Sequence, residues 1–196
     1  VYDGSYAFIK NDYDISNGYS KGSVSVYDIQ NDQFHPSKLY GENNTSTQVY
    51  PRNISSTINR DENKLVVAIG EYTYSYRTNA NGILHNTKDG QIKIYELDIS
   101  DNFLNNSFYQ RGDVIKNRED ALPLLVDDYT LKGHHFGYYM NLSKNGFSLM
   151  AASLPKISTL NFNFKEGDVY VYRWISPQSK QNINAPFPPL ELIKNV

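Results

Sequence analysis

The sequence predicts an all-β protein assembled from one recurring antiparallel strand unit. Three observations predict this. A six-residue strand phrase occurs three times, a polar turn opening into an apolar strand precedes each copy, and the composition is that of strands and turns. Tyrosine occurs 17 times, which suits half-buried strands. Asparagine is abundant and suits the turns between them.

The phrase reads Gly22-Ser23-Val24-Ser25-Val26-Tyr27, then Gly90-Gln91-Ile92-Lys93-Ile94-Tyr95, then Gly167-Asp168-Val169-Tyr170-Val171-Tyr172. Each copy is a glycine, a polar/apolar alternation and a closing tyrosine. Alternation with period two marks a strand with one buried face. The expected buried pairs are Val24/Val26, Ile92/Ile94 and Val169/Val171. The glycine is expected to make the tight turn into the strand.

The preceding strand is Ser5–Ile9 after Asp3-Gly4, Leu65–Gly70 after Asp61-Glu62-Asn63, and Phe147–Ala152 after Asn145-Gly146. Asp-Gly and Asn-Gly are hairpin signals. The strand before the hairpin is expected near 53–58 and 136–142. In the first unit it would lie upstream of Val1, and a start at Val1 rather than Met reads as a processed or incomplete chain. A third phrase, Leu39-Tyr40-Gly41 and Leu131-Lys132-Gly133, is expected as the outermost strand or its exit.

Four antiparallel strands per unit describe the blade of a β-propeller, and such sheets bury both faces only by stacking on neighbours. The expected fold is therefore a partial propeller of about three four-stranded blades. A β-sandwich is the alternative. The units fall at about 1–41, 42–133 and 134–196, as one segment over 1–196. An insertion covers 98–130, with a short helix expected over 118–126. A tail at 176–196 carries Pro186, Pro188 and Pro189 and is expected to run extended. Closed rings hold about 4–8 blades, so further blades or other chains are expected to complete this one.

The phrase His135-Phe136-Gly137, Ser143-Lys144-Asn145-Gly146, Met150-Ala151-Ala152 and Gly167–Tyr172 resembles an FG-GAP repeat, as in integrin α-subunit propellers. It is most similar to the degenerate repeats of large DNA viruses and aquatic microbes. Phe136-Gly137 matches the "FG" and Ala151-Ala152-Ser153 a weakened "GAP". In the middle unit Ile69-Gly70-Glu71 stands in the "GAP" place, and the "FG" is lost near Val49-Tyr50-Pro51. The resemblance implies a calcium loop before the "GAP" strand, but Ser143–Gly146 and Asn59–Asn63 lack the three or more carboxylates such a site wants. The run Asn11–Gly18 has oxygen ligands at alternate positions but no later glutamate, and reads as an Asx-rich turn.

Hydrophobic residues make up 39% and charged residues 20% of the 196, enough for a packed core. A net charge of -2 supplies no global attraction to nucleic acid. The chain has no cysteine, which removes disulfides, thiolate metal sites and cysteine nucleophiles. No apolar run reaches transmembrane length, and no segment reads as a secretory signal.

No residue pattern points to a catalytic, cofactor-binding or metal-ligating set. His134-His135 would point to opposite strand faces, and His35 and His85 stand alone. Arg111-Gly112-Asp113 spells the tripeptide that integrins bind but reads first as a turn. Asp127-Asp128 and Glu119-Asp120 are neighbours rather than acids opposed across a cleft. Asn43, Asn44, Asn53, Asn105 and Asn141 begin Asn-x-Ser/Thr triplets. Trp174 reads as closing a blade edge, and Tyr72, Tyr74 and Tyr76 share one strand face that could stack on sugar.

The expected function is non-enzymatic. The chain reads as a structural or attachment protein, a virion surface or minor capsid component, whose partners are other chains of an assembly. An extracellular adhesion or carbohydrate-binding propeller with a glycan partner is the alternative, and a propeller hydrolase is third. No cofactor, nucleic acid or membrane insertion is expected. The expected location is the virion or the cell surface.

Overall fold

A computed structural model of the chain describes residues 5–11, 15–16, 19–20, 22–41, 53–71, 90–100, 103–111, 115–116, 136–146, 148–152, 169–174 and 190–195. Among these residues the fold is all-β and every strand pairing is antiparallel.

The first sheet holds β1 (Tyr6–Asn11), and the ribbon β2 (Ile15–Ser16) and β3 (Tyr19–Ser20) follows it. β4 (Ser23–Asp28) pairs with β1, and β5 (Gln33–Phe34) and β6 (Leu39–Tyr40) pair with the other edge of β4. The second sheet holds β7 (Asn53–Asn59), β8 (Lys64–Glu71) and β9 (Gln91–Asp98) side by side. β10 (Tyr109–Gln110) and β11 (Ile115–Lys116) pair with the far edge of β9. The third sheet runs β12 (Tyr139–Leu142), β13 (Ser148–Ala152), β14 (Val169–Trp174) and β15 (Leu190–Asn195).

The strand phrase therefore forms the strand just inside the outer rank of each sheet, as β4, β9 and β14. Gly22 and Gly90 enter it at φ 65° and 85°, a left-handed backbone that a side chain disfavours. Asn145-Gly146 makes the β12–β13 turn, with the Gly146 N–H donating to the Ser143 carbonyl at 2.9 Å. The second sheet departs from expectation at its outer edge. That rank is filled by β10 and β11, inside the segment read as an insertion, while 118–126 and Leu131–Gly133 lie outside the described residues. Phe136–Tyr138 is a turn rather than the start of a strand, because Gly137 sits at φ 84° and breaks the pleat.

The outer rank breaks at one register in all three sheets. Tyr27 pairs with Phe34 and Val24 with Leu39, while Tyr95 pairs with Gln110 and Ile92 with Ile115. His35 and Arg111 fall in the two gaps. Their backbone N–H groups donate to the carbonyls of Val26 and Ile94, at 2.8 and 2.7 Å. In the third sheet the ladder only slips between Val171 and Tyr172, which leaves Ile193 as the extra residue at that place.

Two buried clusters lie between the sheets. Strand alternation gives each sheet a rear face toward the sheet before it and a forward face toward the sheet after it. Val24 and Val26 of the forward face of the first sheet meet Leu65, Val67, Ile69 and Leu97 of the rear face of the second. Val66, Ala68, Ile92 and Ile94 of its forward face meet Leu149, Tyr170 and Tyr172 of the third. The expected pair Val169/Val171 is thus corrected. Tyr170 and Tyr172 are buried, and the two valines are half-buried because they lie on the forward face of the last described sheet.

Phe136 fills the second seam and is completely buried, with its ring edge-on to Tyr170 and Tyr172 at 5.9 and 6.3 Å. Burying such a ring contributes about 1.5–3 kcal/mol. Gly137 follows it because the backbones touch here. A Cβ on Gly70 would stand 2.1 Å from the Gly137 carbonyl oxygen.

Candidate functional site

The most organised polar chemistry lies in the seams, and it is repeated. His35 is buried against Phe103 and Phe108, with ring centroids at 5.1 and 4.8 Å. Nδ1 lies 3.1 Å from both the backbone nitrogen and the carbonyl oxygen of Ser37. Nε2 donates to the carbonyl of Asn106 in the second sheet at 2.9 Å. Arg111, in the matching gap of the next sheet, donates from Nε to Glu96 Oε1 at 2.7 Å and pairs with the same oxygen through a terminal nitrogen. Its other terminal nitrogen donates to the Gly146 carbonyl of the third sheet. Each residue ties its own outer rank to the next sheet.

Three buried carboxylates are each engaged. Asp28 accepts from the N–H groups of Gln30 and Asn31 at 3.0 and 3.1 Å, which closes the turn after β4. Glu96 holds Arg111. Glu71 accepts from Gln91 Nε2 at 2.5 Å and lies 3.7 Å from Lys93 Nζ. Paired burial of this kind offsets desolvation and positions strands. Among the described residues no group of three or more His, Asp or Glu side chains is placed to hold a metal ion. No helix among them is long and apolar enough to cross a membrane.

Local shifts follow these contacts. The Tyr27 hydroxyl donates to Asp32, which raises its pKa above the ordinary phenol value, with burial and the Asp32 charge adding to the effect. Asp98 is lowered, because the Ser100 hydroxyl and N–H donate to its Oδ1 at 2.6 and 2.9 Å. Burial pushes Tyr172 up to about 12.

The sequence candidates fall unevenly. In Arg111-Gly112-Asp113 the guanidinium is spent inside the second seam rather than presented at a surface, and Gly112 and Asp113 lie outside the described residues. His85, His134, His135, Tyr72, Tyr74, Tyr76 and the two acidic pairs also lie outside them. Asn11 ends β1, and the rest of its acidic run is largely undescribed. Asn53 donates from Nδ2 to the Tyr138 carbonyl at 2.9 Å, and Asn141 accepts from Ser55 Oγ at 3.1 Å, so both amides join the seam. Asn105 is exposed in the turn after β9. Sequence reading gave no weight to His35 or to the ionic role of Arg111.

Two kinds of surface remain. One is a groove at the hairpin end of the stack. A cavity of about 130 Å3, lined in part by Tyr6, Phe8, Arg60 and Lys144, shares Ile58, Arg60 and Lys144 with a wider hollow of about 520 Å3 that reaches Asn59, Asp61 and Asn145. The other kind is the pair of outer sheet faces. Ile9 and Phe34 on the rear face of the first sheet are 47% and 53% exposed, and Met150 and Tyr139 on the forward face of the third are 49% and 59% exposed. Ile69 and Ala68, at the places in the second sheet that match Ile9 and Met150, are buried.

Compared with known proteins, the chain matches no family model, and no curated protein matches it.

Proposed function

We propose that this chain is a three-blade portion of a β-propeller of FG-GAP-like repeats, acting as a non-enzymatic structural or attachment component of a protein assembly. The contrast between the second sheet and the two that flank it carries the reading. The second sheet buries Leu65, Val67 and Ile69 on one face and Val66, Ala68, Ile92 and Ile94 on the other, whereas each flanking sheet turns large apolar side chains outward among the described residues. Contiguous exposed apolar surface marks an interaction site. The shared register of the three sheets and the Phe136-Gly137 contact in a seam support the repeat. The virion surface is the setting that the resemblance implies.

The test is fractionation of the source material with an antibody against the chain. Recovery in purified particles at a fixed ratio to their main component supports the reading. A wholly soluble pool with turnover on a panel of hydrolase substrates removes it.

The groove at the hairpin end favours a second reading, adhesion through an acidic glycan. Arg60 and Lys144 would meet the acid, and Tyr6 and Phe8 the sugar faces. A glycan array decides it, with sialylated or uronate probes bound by the chain and released in Lys144→Ala. An array on which no acidic glycan binds ends that reading.

A further inference from the structure

We infer that the forward face of the third sheet takes the rear face of the first sheet of a second copy of this chain, so that two copies form one closed ring of six sheets. The inference rests on the propeller reading above and deepens it by naming the occupant of its open faces.

The register carries the argument. Both seams within the chain join a forward face to a rear face. The forward face is built at matching positions by Val24 and Val26, and then by Ala68, Ile92 and Ile94. In the third sheet those positions are Met150, Val169 and Val171. The rear face is built at matching positions by Val67, Ile69 and Tyr95, and then by Leu149, Ala151 and Tyr172. In the first sheet those positions are Ala7, Ile9 and Tyr27. One face of each kind is left over, and both have the side-chain character of faces that are buried elsewhere in the molecule.

The two leftover faces stand at opposite ends of the stack, with the second sheet between them. Among the described residues neither face covers the other, and a second copy presents both. Such a contact is head-to-tail, and it avoids an open filament only if the rotation closes. Two copies meeting through two identical contacts close about a two-fold axis. The resulting six sheets fall within the range of about 4–8 found in closed rings of this kind.

Sedimentation velocity on the purified chain tests this over a wide dilution range. The expected mass is twice the 22.5 kDa of one chain. Ile9→Lys and Met150→Glu are each expected to halve that mass. Both residues are about half exposed in the single chain, so its circular dichroism spectrum should not change. Mixing the two variants is expected to restore the doubled mass. One contact in the mixed pair then joins lysine to glutamate and the other is native. A one-chain mass at every concentration overturns the inference. So does growth beyond two copies, a doubled mass that neither variant lowers, or no recovery on mixing. A monomer that still co-purifies with particles removes the second copy and keeps the assembly reading. A dimer that never meets a particle does the reverse.

Discussion

Between the first and second sheets the buried tie is an imidazole held by backbone groups, and between the second and third it is a guanidinium paired with a carboxylate. The two side chains stand at the same place. Each follows a two-residue outer strand and donates its backbone N–H to the middle of the neighbouring strand, at Val26 or at Ile94. The backbone arrangement is thus common to both seams, while the ion pair is not. His35 sits among the rings of Phe103 and Phe108 and needs only two backbone partners. Arg111 brings a charge into a seam and needs Glu96 beside it. The second seam also brings backbones together at Gly70 and Gly137, where the first is filled by side chains. One strand register is thus fastened in one seam by an imidazole among rings and backbone groups and in the other by an ion pair, and the two fastenings should fail differently.

The charged tie should give the largest loss. Arg111→Ala leaves Glu96 buried without its partner, and breaking a buried pair costs about 3–5 kcal/mol. Urea unfolding should show it as a lower midpoint. The double variant Arg111→Met with Glu96→Gln removes both charges and should recover most of the loss. If the single and double variants are equally unstable, the pair is not what fastens this seam.

That tie was hard to read in the sequence for a physical reason. Each half of the broken outer strand has only two residues, too few to show a period, so Arg111 read as part of an insertion and of an adhesive tripeptide. The longer strands were legible. The polar/apolar phrase located β4, β9 and β14, the Asn145-Gly146 turn located β12 against β13, and Leu39-Tyr40 located β6. Alternation names two faces of a strand but not which one meets a neighbour. In Val169-Tyr170-Val171-Tyr172 both faces are apolar, and the buried one was decided by the position of the second sheet. The groove brings together Arg60 and Lys144, 84 positions apart, through turns that no local pattern links.

The backbone contact of the second seam comes next. Gly70→Ala places a methyl group 2.1 Å from the Gly137 carbonyl oxygen, which is backbone and cannot rotate away. Overpacking costs about 1–3 kcal/mol. Amide exchange should rise in β12 and β13 while the first sheet keeps its protection. Equal loosening of all three sheets would mean that the seams do not act separately. The imidazole tie should give less. His35→Leu keeps the packing on Phe103 but leaves the Asn106 carbonyl unpaired, at about 1–3 kcal/mol if no water reaches it. Unlike Arg111→Ala, it leaves no buried carboxylate without its ion-pair partner.

The smallest effect separates the seams by pH. Tyr172 is raised to about 12 by burial in the second seam, while in the unfolded chain it returns to the ordinary value of 10.0. A phenol whose folded pKa is raised contributes stability that is fully present below about 10 and is lost as pH rises toward about 12, because the unfolded state releases its proton first. Stability should therefore fall over that window, and Tyr172→Phe should flatten the fall while leaving the curve near neutrality almost unchanged. Asp98, at the end of β9, has the opposite sign. Its pKa is lowered by Ser100, so its contribution is present above the ordinary carboxylate range and fades as the solution is acidified through its folded pKa. Its exposure to solvent makes that contribution slight. Unfolding curves of Tyr172→Phe and Ser100→Ala across pH should change opposite limbs of the stability profile. If Tyr172→Phe leaves the alkaline limb as steep as before, the ring is not held in a dry seam, and the close packing drawn here between the second and third sheets is wrong at that point.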